Sequence, residues 1–294
     1  MNKTATITTM TSLDSYSHNI HSQNGEDGIV SELLKRIDHV LQNPKTGGWV
    51  CEFGAWDGIY LSNALNLISN LGFSSVLIEC DNAKFKELER NLSVYQNQFL
   101  LNEFILVEGP NNLDGLLARS PIPSDFDVLS IDIDGMDYYI WESLQNYRPK
   151  IVIIEFNPSM PSSIEYIQPK NFKVKQGSSP LSITKLAQNK GYFLVAATHC
   201  NLIFVEKEIG KAIGFANSLE IADAVPATDI NNNFIFQGYD GTIILSSPEM
   251  KLLWHGLPIS RNDVQVLPRF LRKYPNDYSI IQSVLYRLLR MFRK

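Results

Sequence analysis

The chain has 294 residues, 44% hydrophobic and 19% charged, with a formal net charge of −5. These are ordinary values for a soluble globular protein and suit one large domain, or one domain with additions. Cys51, Cys80 and Cys200 lie far apart in apolar runs, which argues against a disulfide framework; without a CxxC or a Cys/His pair, zinc is not suggested either.

The charge is unevenly placed. Lys251 to Lys294 holds nine Lys/Arg against two Asp/Glu, a balance of +7, which leaves −12 on the first 250 residues. An acidic body does not suggest a nucleic-acid partner. Residues 1–21 read as a polar tail. Its first thirteen residues are rich in Thr and Ser and lack an apolar h-region, so neither a signal peptide nor a membrane span is expected. A cytoplasmic protein is the default expectation.

In chain order, Asn24 is a candidate N-cap, followed by Glu26 and Asp27 in a first turn and by Ile29, Leu33, Ile37 and Leu41 at helical spacing. Pro44 to Gly48 should end that helix. A strand over Trp49–Phe53 is followed by a helix from about Leu61 to Leu71, stopped by Gly72. Ser75–Glu79 is a second strand, and Asp81 caps a helix running to about Tyr95. Phe104–Val107 is expected as a third strand and Asn111–Ala118 as a short helix. Phe126–Asp132 and Ile151–Ile154 are apolar strands separated by a helix over residues 137–145. Residues 157–180 form a long loop rich in Pro, Ser and Lys, of a length that is usually functional. Leu181–Gln188 is a helix, and Tyr192–Ala196 and Asn201–Val205 are close enough to pair as an antiparallel hairpin. Past Glu206 the pattern weakens until helical periodicity returns over Tyr278–Lys294. Continuous apolar strands alternating with helices imply an α/β fold, a mostly parallel sheet covered on both faces.

The stretch Glu52-Phe-Gly-Ala-Trp-Asp-Gly58 places an acid and two glycines between a buried strand and a helix. That is the usual site for a nucleotide-like ligand in an open α/β sheet. A nicotinamide fingerprint would need a second glycine for approach to a pyrophosphate, and Asp57 would repel phosphate.

With the strand–helix alternation and the closing hairpin, Glu52-Phe-Gly-Ala-Trp-Asp-Gly58 resembles the first motif of class I S-adenosylmethionine-dependent methyltransferases. Leu129-Ser-Ile-Asp-Ile-Asp-Gly-Met-Asp-Tyr-Tyr139 with Ile151-Val-Ile-Ile-Glu155 is similar to the FkbM-like family of these enzymes, as are Ser22-Gln23, Glu26-Asp27, the Ser182–Tyr192 helix and Asn201–Val205. The resemblance covers roughly Ser22 to Val205. It implies a Rossmann-like, doubly wound, mostly parallel seven-stranded sheet with an antiparallel terminal hairpin. A methyltransferase-like domain is then expected over 22–206, with a C-terminal extension over 207–294.

It also implies S-adenosylmethionine as cofactor and O-methylation of a sugar, glycan or other small hydroxylated acceptor. Glu52 and Gly54 would face the amino-acid end of the cofactor and Glu79 its ribose; Asp57, Gly58, Cys80 and Asp132 are further candidates. Asp132, Asp134 and Asp137 must repel one another unless something cationic sits there. Magnesium held by Asp132 or Asp134 with Glu155 and Asn157 is one answer. Helix capping by Asp137 and a turn closed by Asp134 is the other. Asp134 is the expected base or orienter, Tyr138 and His199 are candidate substrate contacts, and Gln23 and Glu26 could fold over the site. Asp132-Ile-Asp134 also reads as the DxD of a metal-dependent glycosyltransferase, and a non-catalytic module of the same fold is a third reading. Near the end, Arg287, Arg290, Arg293 and Lys294 flank Leu288, Leu289, Met291 and Phe292. This basic amphipathic helix is a candidate for contact with the inner face of a membrane, or for packing on the domain or a partner.

Overall fold

The computed structural model describes residues 12–42, 47–225 and 233–292. The first part of the tail, the expected helix stop at Pro44, and Arg293 and Lys294 lie outside them. The chain divides into two compact units, Met1–Pro226 and Ala227–Lys294.

The first unit is a seven-stranded sheet of β1 (Trp49–Phe53), β2 (Ser74–Ile78), β3 (Gln98–Leu101), β4 (Val128–Ile131), β5 (Ile151–Glu155), β6 (Tyr192–Ala197) and β7 (Asn201–Glu206). Its order is β3-β2-β1-β4-β5-β7-β6, with β7 antiparallel to both neighbours and the other pairings parallel. This is the doubly wound, Rossmann-like arrangement expected from the sequence. The pleat divides the core in two. Cys51, Phe53, Leu129, Ile131, Val152 and Ile154 face one layer, where they meet α4 (Leu113–Leu117), α5 (Asp137–Ser143) and α6 (Pro180–Asn189). Val50, Leu77, Val128, Ile151 and Ile153 face the other, against α1 (Glu26–Leu41), α2 (Leu65–Leu71) and α3 (Asn82–Leu92). Strands buried on both faces explain the unbroken apolar runs.

Four boundaries differ from expectation. The third strand is Gln98–Leu101, not Phe104–Val107. It is a half-buried edge strand, fastened through Gln98 to Ser75 and to the Phe73 carbonyl, and an edge needs less apolar sequence than a centre. α1 is capped by Gly25 at φ 98° rather than by Asn24. α2 begins at Leu65, because Leu61 has a left-handed backbone at φ 56°. The tail becomes ordered early: Leu13–Tyr16 forms a 3-10 turn that packs on α1 and β6, with Leu13 buried.

The first compact unit also runs past the expected boundary at residue 206. α7 (Lys207–Ala212) packs on β6 and β7, with Ile213 buried, and α8 (Ile221–Ala224) follows. The second unit holds a hairpin of β8 (Ile235–Gln237) and β9 (Ile243–Leu245), then α9 (Arg261–Val264) and α10 (Ile280–Phe292). Among the described residues no helix is long and apolar enough to cross a membrane.

Candidate functional site

In an open α/β sheet the ligand crevice lies beyond the carboxyl ends of the strands, where the winding direction reverses. Here the reversal falls between β1 and β4. Gly54 leaves β1 at φ 78°, and a Cβ there would stand 1.8 Å from the Asp132 carbonyl oxygen. Only glycine allows the two strand tips to approach so closely.

Beside that point opens a cleft of about 610 Å³, including its part open to solvent. Gly54, Glu79, Cys80, Phe104, Ile105, Ile133, Asp134 and Met136 line it. Phe172, Val174 and Lys175 close it from the 157–180 loop. Phe104 and Phe172 meet edge to face with centroids 4.9 Å apart, giving an apolar wall suited to a planar ring. The loop is ordered from within. The fully buried Gln168 accepts from the backbone of Gln176 and Gly177 and donates to the Val174 carbonyl, and the Tyr139 hydroxyl donates to the Gln168 carbonyl.

Glu79 is nearly buried and lines the cleft. Its Oε2 accepts from the Trp56 backbone N–H at 2.9 Å and its Oε1 from the Asp81 N–H at 2.7 Å. Each carboxylate oxygen can accept a second hydrogen bond, so the group keeps capacity for a pair of hydroxyls. Cys80 stays a thiol at neutral pH, since desolvation and then the charge of Glu79 push its pKa up.

Glu52 differs from expectation. Its carboxylate is buried, accepting from the Ser62 hydroxyl at 2.7 Å and the Asn63 backbone N–H at 2.8 Å. Burial raises its pKa against these hydrogen bonds. It closes the turn between β1 and α2 and does not line the cleft. Asp57 likewise accepts from the Ile59 and Tyr60 backbones, capping its own turn. Gly58, at φ 75°, gives room to Leu88 of α3 rather than to a ligand.

At the tips of β4 and β5 lies a second group. Asp132, Asp134 and Glu155 bring carboxylate oxygens within 4.8 Å of one another. Asp132 sits among many protein atoms yet still reaches solvent. Lost hydration, then the charges of Asp137, Asp134 and Glu52, push its pKa up to about 7. Glu155 is pushed to about 10 by the same loss and then by the charges of Asp132, Asp137 and Asp134. Two carboxyls this close resist ionising together, so the pair favours holding one proton between them. Asp137 stands apart from the trio, accepting from the Ile133 and Gly135 backbones as a local cap. Asp134 holds a left-handed backbone at φ 56° and pairs with Lys175 at 3.3 Å, a partner the sequence did not disclose.

Asn157, expected as a metal ligand, is engaged elsewhere: it accepts from Ser159 and donates to the Gln176 carbonyl at 2.6 Å. Oxygen-only donors fit a hard dication such as magnesium. The proton shared by Asp132 and Glu155, and Lys175 beside Asp134, already offset part of the negative charge.

Tyr138 packs edge to face on Tyr139, with Glu142 and Glu165 as its charged neighbours; it does not line the cleft. His199 is exposed in the β6–β7 turn. Glu26 does reach the rim of the sheet. Its buried carboxylate accepts from Thr198, from Asn201 and from the Asn24 backbone, which pins the start of α1 over the β6–β7 turn. Gln23 and Asn24 lie against Cys200, whose thiol is raised by desolvation and by Glu155, Glu26 and Asp132.

No family model matches the sequence, and no curated protein does. Among solved structures the chain is similar to the CMeT domain of the citrinin polyketide synthase at 10% identity and a TM-score of 0.41, over 64% of this chain and 55% of that one. It is similar to monomeric WbdD at 15% identity and a TM-score of 0.41, over 64% of this chain and 42% of that one. A third is the magnesium protoporphyrin IX methyltransferase of Synechocystis with bound SAH, at 12% identity and a TM-score of 0.35, over 62% and 86% of the two chains. The chain spans about half the length of the first two.

Proposed function

We propose that the protein is an S-adenosylmethionine-dependent methyltransferase acting on a hydroxyl of a sugar, glycan or other small acceptor. The observation that carries this reading is Glu79. It is a carboxylate at the tip of β2, fixed by two backbone N–H groups, with its remaining acceptor capacity beside an apolar cleft at the winding reversal. Such a group suits a ribose diol with an adenine against Phe104, Ile105 and Phe172. A cationic centre near Gly54 would find Asp132 and Asp134 close by, whereas a pyrophosphate would be repelled by them.

When bound, S-adenosylmethionine supplies a methyl carbon made electrophilic by its sulfonium. The protein's part is to orient the acceptor oxygen toward that carbon and to take its proton. Asp132 and Glu155 do not line the cleft, but their carboxylate oxygens lie within 4.8 Å of one of Asp134, which does, and they are assigned to accept the proton taken there. Asp134, expected from the sequence as base or orienter, lines the cleft beside Lys175 and is assigned that role. Magnesium, if used, would be held by Asp132, Asp134 and Glu155 and would lower the pKa of an acceptor hydroxyl.

Calorimetric titration of the full chain with S-adenosylmethionine and with a nucleotide sugar, each with and without magnesium, tests the assignment. Heat with S-adenosylmethionine alone is expected. Heat with the nucleotide sugar alone would favour the DxD reading, and heat with neither would favour a non-catalytic module.

A further inference from the structure

The last helix of the second unit is built the reverse of a core helix. On a helical wheel Ile280, Ile281, Val284, Leu285, Leu288 and Phe292 fall on one side of α10, a stripe about 140° wide and broader than a coiled-coil seam. A helix packed on its own unit would turn that stripe inward. Here the attachment is through the opposite edge: Gln282 donates to the Phe270 carbonyl at 2.7 Å, and Tyr286 packs on Tyr278 with centroids 5.5 Å apart. The stripe is left open, with Ile281 at 72%, Leu288 at 44% and Phe292 at 87% of full exposure.

The polar half has one sign of charge. α10 contains no acid, and Arg287 and Arg290 make no ion pair among the described residues. The sequence continues with Arg293 and Lys294, and the chain from Lys251 onward carries +7. At 13 residues the helix is about 20 Å long, too short for a bilayer core of about 30 Å. Trp254 and Tyr274 of the same unit are also exposed, residue types that favour the water–lipid boundary.

We infer that α10 lies in the plane of an anionic lipid surface, its apolar half among the acyl chains and its arginines at the headgroups. Charge complementarity selects this occupant. A protein groove would need acids set along both flanks of the apolar half to match the arginines, whereas a sheet of anionic headgroups supplies counter-charge on both flanks without any such arrangement. The inference is independent of the methyl-transfer reading.

The test is flotation of the full chain with vesicles of phosphatidylcholine alone and of phosphatidylcholine with about one-third phosphatidylglycerol. Binding is expected with the anionic vesicles only. It should weaken at least about tenfold in the double variant Arg287→Glu, Arg290→Glu, since each basic residue near such a surface contributes appreciably. Leu285→Gln with Leu288→Gln should abolish it. Circular dichroism and the melting temperature of each variant show that the fold persists. Equal binding to neutral vesicles, binding to neither, or binding that survives both double variants would overturn the inference. So would concentration-dependent self-association, abolished by the leucine changes, in a protein that ignores vesicles; that result would make the stripe a contact between copies.

Discussion

Replacing Glu79 by alanine separates a ligand-holding carboxylate from one that merely closes a turn. The substitution removes an acceptor from the Trp56 and Asp81 N–H groups. Both donors lie beside the open cleft and the truncation leaves room for water, so the loss of stability should stay near 1–2 kcal/mol, roughly what one or two replaceable hydrogen bonds contribute. The effect on binding should be larger. A hydrogen bond from a hydroxyl to a charged acceptor is worth about 1.5–3 kcal/mol, which corresponds to about a 10- to 100-fold rise in Kd for S-adenosylmethionine or S-adenosylhomocysteine. Calorimetric titration, with melting curves to establish that the variant is folded, measures both effects. A 2′-deoxyribose analogue of the ligand completes a double-mutant cycle. If Glu79 takes the ribose hydroxyls, the variant should discriminate the analogue from the parent less than the wild type does. Equal affinities in wild type and variant, or an undiminished penalty for the deoxy analogue, would refute the reasoning and return Glu79 to a purely local role.

The acid pair and the strand tips give two further expectations. Glu155 holds its proton more tightly in the folded chain than in the unfolded one, so its contribution to stability is complete below the unfolded carboxyl value. That contribution is lost as pH rises toward about 10. Glu155→Gln, which fixes the neutral state, should therefore raise the melting temperature by about 2–4 °C at alkaline pH, from at least about 1 kcal/mol, and by less in acid; a gain that shrank with rising pH would contradict the shared proton. Gly54→Ala forces a Cβ onto the Asp132 carbonyl at a left-handed backbone position and should destabilise the fold by about 2–5 kcal/mol in urea titrations. A variant within about 0.5 kcal/mol of wild type would show that the strand tips part freely.

Much of this molecule is written in local pattern. The strands from Trp49, Ser75, Phe126 and Ile151 are apolar because both faces are buried, and that requirement acts on each residue wherever its neighbours come from. Asp81 behaves as the N-cap its sequence position implies, bonding the Ala83 and Lys84 backbones. The third strand was hidden because an edge tolerates the polar Gln98, while Phe104 and Ile105 are apolar for the sake of the cleft.

The direction of a side chain at a strand tip was not legible. Glu52 lies opposite Leu77 within β1, whereas Glu79 follows the end of β2 two residues further along; one is bound by Ser62 and Asn63 and the other opens on the cleft. Which happens depends on how the following turn folds back, and a charge pattern along the chain does not contain that. Nor could spacing reveal that Asp132 and Glu155 crowd their carboxyls together, that Lys175 meets Asp134 across 41 residues, or that Gln168 holds the long loop. The alternation of apolar segments determined the sheet and its layers, since burial is a property of single residues. Only the tertiary structure decided the site, since distance, desolvation and competition for hydrogen bonds are properties of residues brought together from distant parts of the chain.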